Sequence, residues 1–153
     1  MRDIKAEAER LRFGLQSGWR DIAEIVAWAD DVLASETNPP PQIIDLSLAR
    51  QQPRESVIEL LREIPGSVDN TAIIRHCLAD LRRWVGDDLE RGEQAARYLD
   101  ALACSQMLPE AHFGSEVFGL VDHFALARSG TYGTVEGALA CLVEWLDAQS
   151  DAK

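Results

Sequence analysis

Apolar residues recur at intervals of three and four along nearly the whole chain, and turn-forming residues interrupt them. Over residues 3–16, Ile4, Leu11 and Leu15 stand at heptad-like spacing with Ala8 between them, and Gly18 is a natural stop. Ile22, Ile25, Val26, Ala29, Val32 and Leu33 then share one face of a helix expected over about 20–36. The run Thr37-Asn38-Pro39-Pro40-Pro41 breaks it, because successive prolines remove backbone donors and favour extended backbone. A short helix is predicted over 42–50, with Ile43, Leu46 and Ala49 on one side. Pro53 suits the first turn of the next helix, whose apolar side is Val57, Ile58, Leu60, Leu61 and Ile64. Pro65-Gly66 ends it.

The second half repeats the logic. Asp69 or Asn70 can cap a helix over 71–85 that carries Ile73, Ile74, Cys77, Leu78, Leu81, Trp84 and Val85. Gly86 closes it, and Asp87 or Asp88 caps the next helix, which runs to about 105. Residues 107–114 read as a loop, with Ser115 as a cap. From 116 to 128 only Glu116, Asp122, His123 and Arg128 are polar, so this segment is expected to be central and buried on most sides. After the turn Ser129-Gly130-Thr131-Tyr132-Gly133, Thr134 caps a last helix bearing Val135, Ala138, Leu139, Leu142 and Leu146. No stretch alternates as a strand does, and there is no fixed repeat or flexible linker. The predicted fold is all-α: a single domain over 1–153, with about seven helices around the central apolar helix at about 116–128.

Composition narrows the partners rather than the fold. The chain has 153 residues, enough for a core of its own without disulfide or metal. The formal charge is −11, which opposes nucleic-acid binding and adsorption to an anionic membrane, and favours attraction of a basic partner. Cys77, Cys104 and Cys141 are odd in number and lack the close pairing of a zinc site. Free thiols of this kind fit a reducing cytoplasm. The charged start of the chain has no apolar core of a signal peptide, and no uncharged run reaches the roughly 20 residues needed to cross a bilayer. A cytoplasmic location is therefore expected.

Candidate chemistry is sparse. The sequence contains no phosphate-cradling GxxxxGK[ST] loop, no dinucleotide fingerprint, no HExxH pair and no GxSxG elbow. No catalytic residue, metal ligand or cofactor is assigned. His123 lies one heptad from Glu116 and follows Asp122, which would allow a base-plus-carboxylate pair; a histidine bonded between helices accounts for the same pattern. His76 falls opposite its helix stripe and should face water. Charge is placed unevenly: residues 21–49 hold six acidic residues and no basic one, and residues 129–151 hold four and none. Glu24 and Asp31 are seven apart on one helix face, with Asp21 near its edge. These three carboxylates are the expected partner-binding surface, and they lie opposite the apolar stripe. Trp19, in the turn between the first two helices, is expected to pin them together.

Several short motifs then form an order. Leu15-x-x-Gly18-Trp19 leads into Trp28-Ala29-Asp30, a proline break and Leu46-x-x-Ala49. Later comes Val121-Asp122-x-x-x-Leu126-Ala127-Arg128-Ser129-Gly130-Thr131-Tyr132-Gly133 and a final amphipathic helix. This order, over about 11–147, resembles short, acidic, all-helical bacterial proteins of uncharacterised function, some of which look like immunity proteins of polymorphic toxin systems. Trp19 departs from the pattern, where an aliphatic residue is expected. The resemblance implies a non-catalytic protein that binds another protein, with a basic toxin as the expected partner and no catalytic residues to carry over. The alternatives are a small helical enzyme with a site near His123 and Glu116, or a structural subunit of a complex.

Overall fold

We describe residues 2–104, 108 and 116–151 of a computed structural model of the chain. The loop expected at 107–114, apart from Leu108, and the cap expected at Ser115 lie outside them. Among the described residues there are eight α-helices and no strand: α1 (Ile4–Ser17), α2 (Ile22–Ser35), α3 (Pro41–Ser47), α4 (Arg54–Glu63), α5 (Asn70–Val85), α6 (Leu89–Cys104), α7 (Glu116–Arg128) and α8 (Val135–Asp151). The protein is all-α. None of the described helices is long and apolar enough to cross a membrane.

The helix ends follow from short-range hydrogen bonding. The Asp3 carboxylate accepts from the Ala6 N–H at 3.0 Å and starts α1. Gly18 ends it with φ 107°, a conformation open to glycine, and donates its N–H to Gly14 O at 2.9 Å. Pro40 and Pro41 occupy the N-cap and first position of α3, where a missing N–H costs nothing. The paired capping candidates resolve: Asp69 accepts from Thr71 N and Ala72 N, and Asp88 accepts from Arg91 N at 3.0 Å. Thr134 Oγ1 accepts from Gly137 N at 3.0 Å and opens α8. The third helix stops three residues earlier than expected. Leu48 N–H turns back to Asp45 O and Leu46 O, and Leu48 stands at the helix end.

The chain divides into two compact units, Met1–Ile73 and Ile74–Lys153, and the division falls inside the first turns of α5. In the first unit, α1 packs on α4, α2 on α3 and α3 on α4. Ala8, Ile25, Ala29, Val32, Ile43, Leu46, Ala49, Val57 and Leu61 are all fully buried in one cluster. Polar bonds stitch its surface. Lys5 Nζ donates to Arg62 O at 2.9 Å, and Arg54 Nη2 donates to Gln16 O at 2.6 Å. Phe13 and Trp19 meet edge to face at 5.7 Å, so the turn tryptophan packs back on α1.

Glu9 is the one buried charged side chain in this unit among the described residues. Lys5 Nζ reaches its Oε1 at 2.8 Å, while Arg12 Nε and Nη2 reach its Oε2 at 2.8 and 2.6 Å. Burial pushes its carboxyl up, but the hydrogen bonds from Arg12 and Lys5, and their charges, outweigh that and hold it below the ordinary carboxylate range.

In the second unit, α6, α7 and α8 pack on one another. Gly92 permits the close approach: a Cβ there would stand 2.5 Å from Leu139 Cδ1. Arg82 Nε bonds Asp147 at 3.0 Å, joining α5 to α8, and Arg128 donates two bonds to Glu93 Oε2, joining α7 to α6. The Arg91 guanidinium lies 5.3 Å over the Trp84 ring. Helix α7 does not meet the expectation of burial on most sides. Val117, Leu120 and Phe124 are buried, whereas Phe118 and Leu126 on the other side are 43% and 41% exposed. Phe118 and Leu126 raise the apolar content of the segment without joining its packed face. Of the cysteines, Cys77 is buried and Cys104 and Cys141 are exposed; none of the three is in a disulfide.

Two outcomes follow. Phe124→Ala should lower stability by about 3–5 kcal/mol, the range for a buried Phe, whereas Phe118→Ala should change it by less than about 1 kcal/mol; equal urea midpoints for the two variants would contradict one-sided packing of α7. Glu9 has a lowered folded value, so its contribution is present above the ordinary glutamate range and is lost as pH falls through the folded value. Glu9→Gln should therefore destabilise the protein by about 1–3 kcal/mol at pH 7, and the gap from wild type should close on acidification below about pH 4, measured by urea unfolding across pH.

Candidate functional site

The three carboxylates expected to form a partner surface lie on α2 and at its N-cap, and each has local work. Asp21 is the N-cap: its Oδ1 accepts from the Glu24 N–H at 2.9 Å. Glu24 accepts from Arg20 Nη1 at 3.1 Å. Asp31 accepts from Arg2 Nη1 at 2.8 Å, and the same nitrogen reaches Ser35 Oγ at 3.0 Å. Asp21 and Asp31 are ten residues apart, which puts them about 15 Å from each other along the helix.

These neighbours change the setting of the three carboxylates. Segment 21–49 has no basic residue of its own, but Arg2 and Arg20, from outside it, bring cations to two of the three carboxylates. Reversing Asp21 would also remove a helix cap, so it is not neutral to the fold. Arg2 is held further by Glu7 Oε2 at 2.7 Å, which also accepts from Trp28 Nε1 at 3.0 Å. The hydrogen bond to Glu7, opposed by burial and aided by Asp31, raises the guanidinium above its ordinary value. A cleft of about 160 Å³ beside this network is lined by Glu7, Arg10, Leu11, Arg20 and Trp28. Its carboxylate is occupied by the indole and Arg2, which gives it a structural use.

A second surface in the same unit was not singled out by sequence reasoning. An open groove of about 560 Å³ lies between α3 and α4, lined by Asp45, Leu48, Gln52, Ser56, Glu59, Leu60 and Glu63. On α4, residues 56, 59, 60 and 63 follow the i, i+3, i+4, i+7 pattern of one helix face. Leu48, on the α3 side of the groove, is 76% exposed; Ile44, one turn earlier and outside the groove lining, is 52% exposed. Three carboxylates and no basic side chain line the groove. The signal was present in the sequence: Ile44 and Leu48 are a four-residue pair that falls off the Ile43–Leu46–Ala49 stripe and flanks Asp45.

The remaining candidates are weaker in geometry. His123 is half-buried, its ring centroid 6.4 Å from that of Tyr132, and its Nε2 stands 3.2 Å from where a Cβ on Gly133 would lie. Asp122 is exposed, and the Glu116 side chain lies outside the described residues. His76 is exposed, as expected. Among the described residues no three His, Cys, Asp or Glu side chains are placed to hold a metal ion. Comparison with known protein families, curated proteins and solved structures gives no match.

The cap and the ion pairs on α2 can be separated by substitution. Asp21→Ala should lower stability by about 0.5–2 kcal/mol, with Asp21→Ser retaining most of the loss-sensitive bond. Asp31→Ala removes a pair whose carboxylate is 67% exposed, and should change stability by less than about 1 kcal/mol. Thermal unfolding of the three variants checks this; a neutral Asp21→Ala would return that residue to the set of free surface charges.

Proposed function

We propose that this chain is a non-catalytic, cytoplasmic protein that acts by binding another protein, in the manner of an immunity-type inhibitor of a basic bacterial toxin. The observation that carries the reading is the α3–α4 surface, where Leu48 stands in water in a groove it shares with Asp45, Glu59 and Glu63, with Ile44 exposed one turn earlier on α3. Exposed aliphatic side chains forgo about 25 cal/mol per Å² of burial, and an acidic rim around them gives a contact both residence time and orientation. The groove is open, so it suits a protein surface better than an enclosed small molecule. The net charge of −11 supports the same reading, since it speeds encounter with a basic partner. On α2, Asp31 and Glu24 contribute to this field as partly neutralised charges, and Asp21 contributes while capping the helix.

Purification of the tagged full chain from its native cell tests the reading. The expected result is one stoichiometric protein partner whose own activity falls in proportion to added chain. A chain that runs alone at its native concentration, and that itself turns over a small molecule, would overturn it in favour of an enzyme.

A further inference from the structure

The shape and charge of the α3–α4 groove define its occupant more closely, an inference that rests on the protein-binding reading above. We propose that this groove docks a basic amphipathic helix of the partner, its apolar face on Leu48 and Leu60 and its lysines or arginines on Asp45, Glu59 and Glu63.

The walls of the groove are two helical surfaces. Ser56, Glu59, Leu60 and Glu63 form one continuous face of α4, about two turns long. Asp45 and Leu48 come from α3 and its end, and Gln52 from the connection that follows. A helix laid between them would be read as anchors at i, i+3, i+4 and i+7. Both walls are held from behind: Ile43, Leu46, Val57 and Leu61 are fully buried, so the groove is preformed rather than assembled on contact.

Charge selects the kind of helix. All three ionisable groups lining the groove are carboxylates. Arg62, on the same helix, reaches Glu59 at 3.1 Å, but both side chains of that pair are more than half exposed. Such a pair contributes little and yields readily to a competing cation. An acidic or neutral helix would instead leave Asp45 and Glu63 beside apolar surface without a counter-charge. A second copy of this chain is disfavoured for the same reason, because its charge of −11 repels itself.

The test uses the full chain and a labelled synthetic peptide of about 14 residues, four helical turns, with leucines at i, i+3, i+4 and i+7 flanked by lysines. A matched peptide carries glutamates in place of the lysines. Fluorescence anisotropy should show binding of the lysine peptide, weakening as salt rises. Leu48→Ser should reduce affinity about tenfold, as should the double variant Glu59→Lys/Glu63→Lys; both changes are at exposed positions, and circular dichroism verifies that each variant folds. Equal binding of the two peptides, or undiminished binding by both variants, would overturn the proposal. Sedimentation of the chain as a dimer that Leu48→Ser dissociates would also overturn it, by giving the groove to a second copy. Cross-linking of the native co-purified partner separates the two levels of the argument. Cross-links confined to other helices would remove this groove and leave the protein-binding reading intact, whereas absence of any partner would remove the reading itself.

Discussion

Four helices of the first unit each bring a fully buried residue to one cluster: Ala8 from α1, Ile25 from α2, Ile43 from α3 and Val57 from α4. The third of these helices is only seven residues long. A helix that short is marginal in water, because a single nucleation step is followed by few propagating bonds. Its existence therefore rests on burying Ile43, Leu46 and Ala49 against its neighbours. Helical geometry then leaves no freedom for the rest. With those residues inward, Ile44, Asp45 and Leu48 must face outward, and the groove against α4 is the consequence.

Electrostatics adds a second layer to the same unit. The cations near α1 and α2 are engaged with particular carboxylates. Arg2 joins Glu7 and Asp31, Arg20 joins Glu24, and Lys5 and Arg12 enclose Glu9. Arg2 thereby bridges α1 to α2, whereas the other pairs are local to one helix and its start. No basic side chain lines the groove that holds Asp45, Glu59 and Glu63, although Arg62 reaches Glu59 from beside it. A count of charges along the sequence could see Asp21–Asp45 as a block without cations, but not the approach of Arg2 to Asp31 from 29 residues away.

The second unit shows how composition and packing part company. Helix α7 is rich in apolar residues, yet its burial is that of a one-sided helix, with Phe124 at 1% exposure and Phe118 at 43%. Six residues separate the two phenylalanines, which rotates them about 120° from the same phase in an α-helix. The packed face is chosen by neighbours, including the gap left by Gly92 against Leu139 and Phe124.

Periodicity alone determined the all-helical class, the positions of the described helices to within about three residues, and the inward faces of α1–α4. These are local quantities: the repeat of the α-helix, the φ restriction of proline, and side-chain caps within three residues of a free N–H. Asp69, Asp88 and Thr134 could be named as cap candidates for that reason. The tertiary structure decided everything that depends on residues far apart in sequence. It brought Arg2 to Asp31 and Lys5 to Arg62, closed α7 on one side only, and set α3 beside α4 so that their outward residues share a groove. A carboxylate's chemistry follows from the cation that reaches it, and an apolar residue's role from the surface that covers it. Both are fixed by how the chain packs.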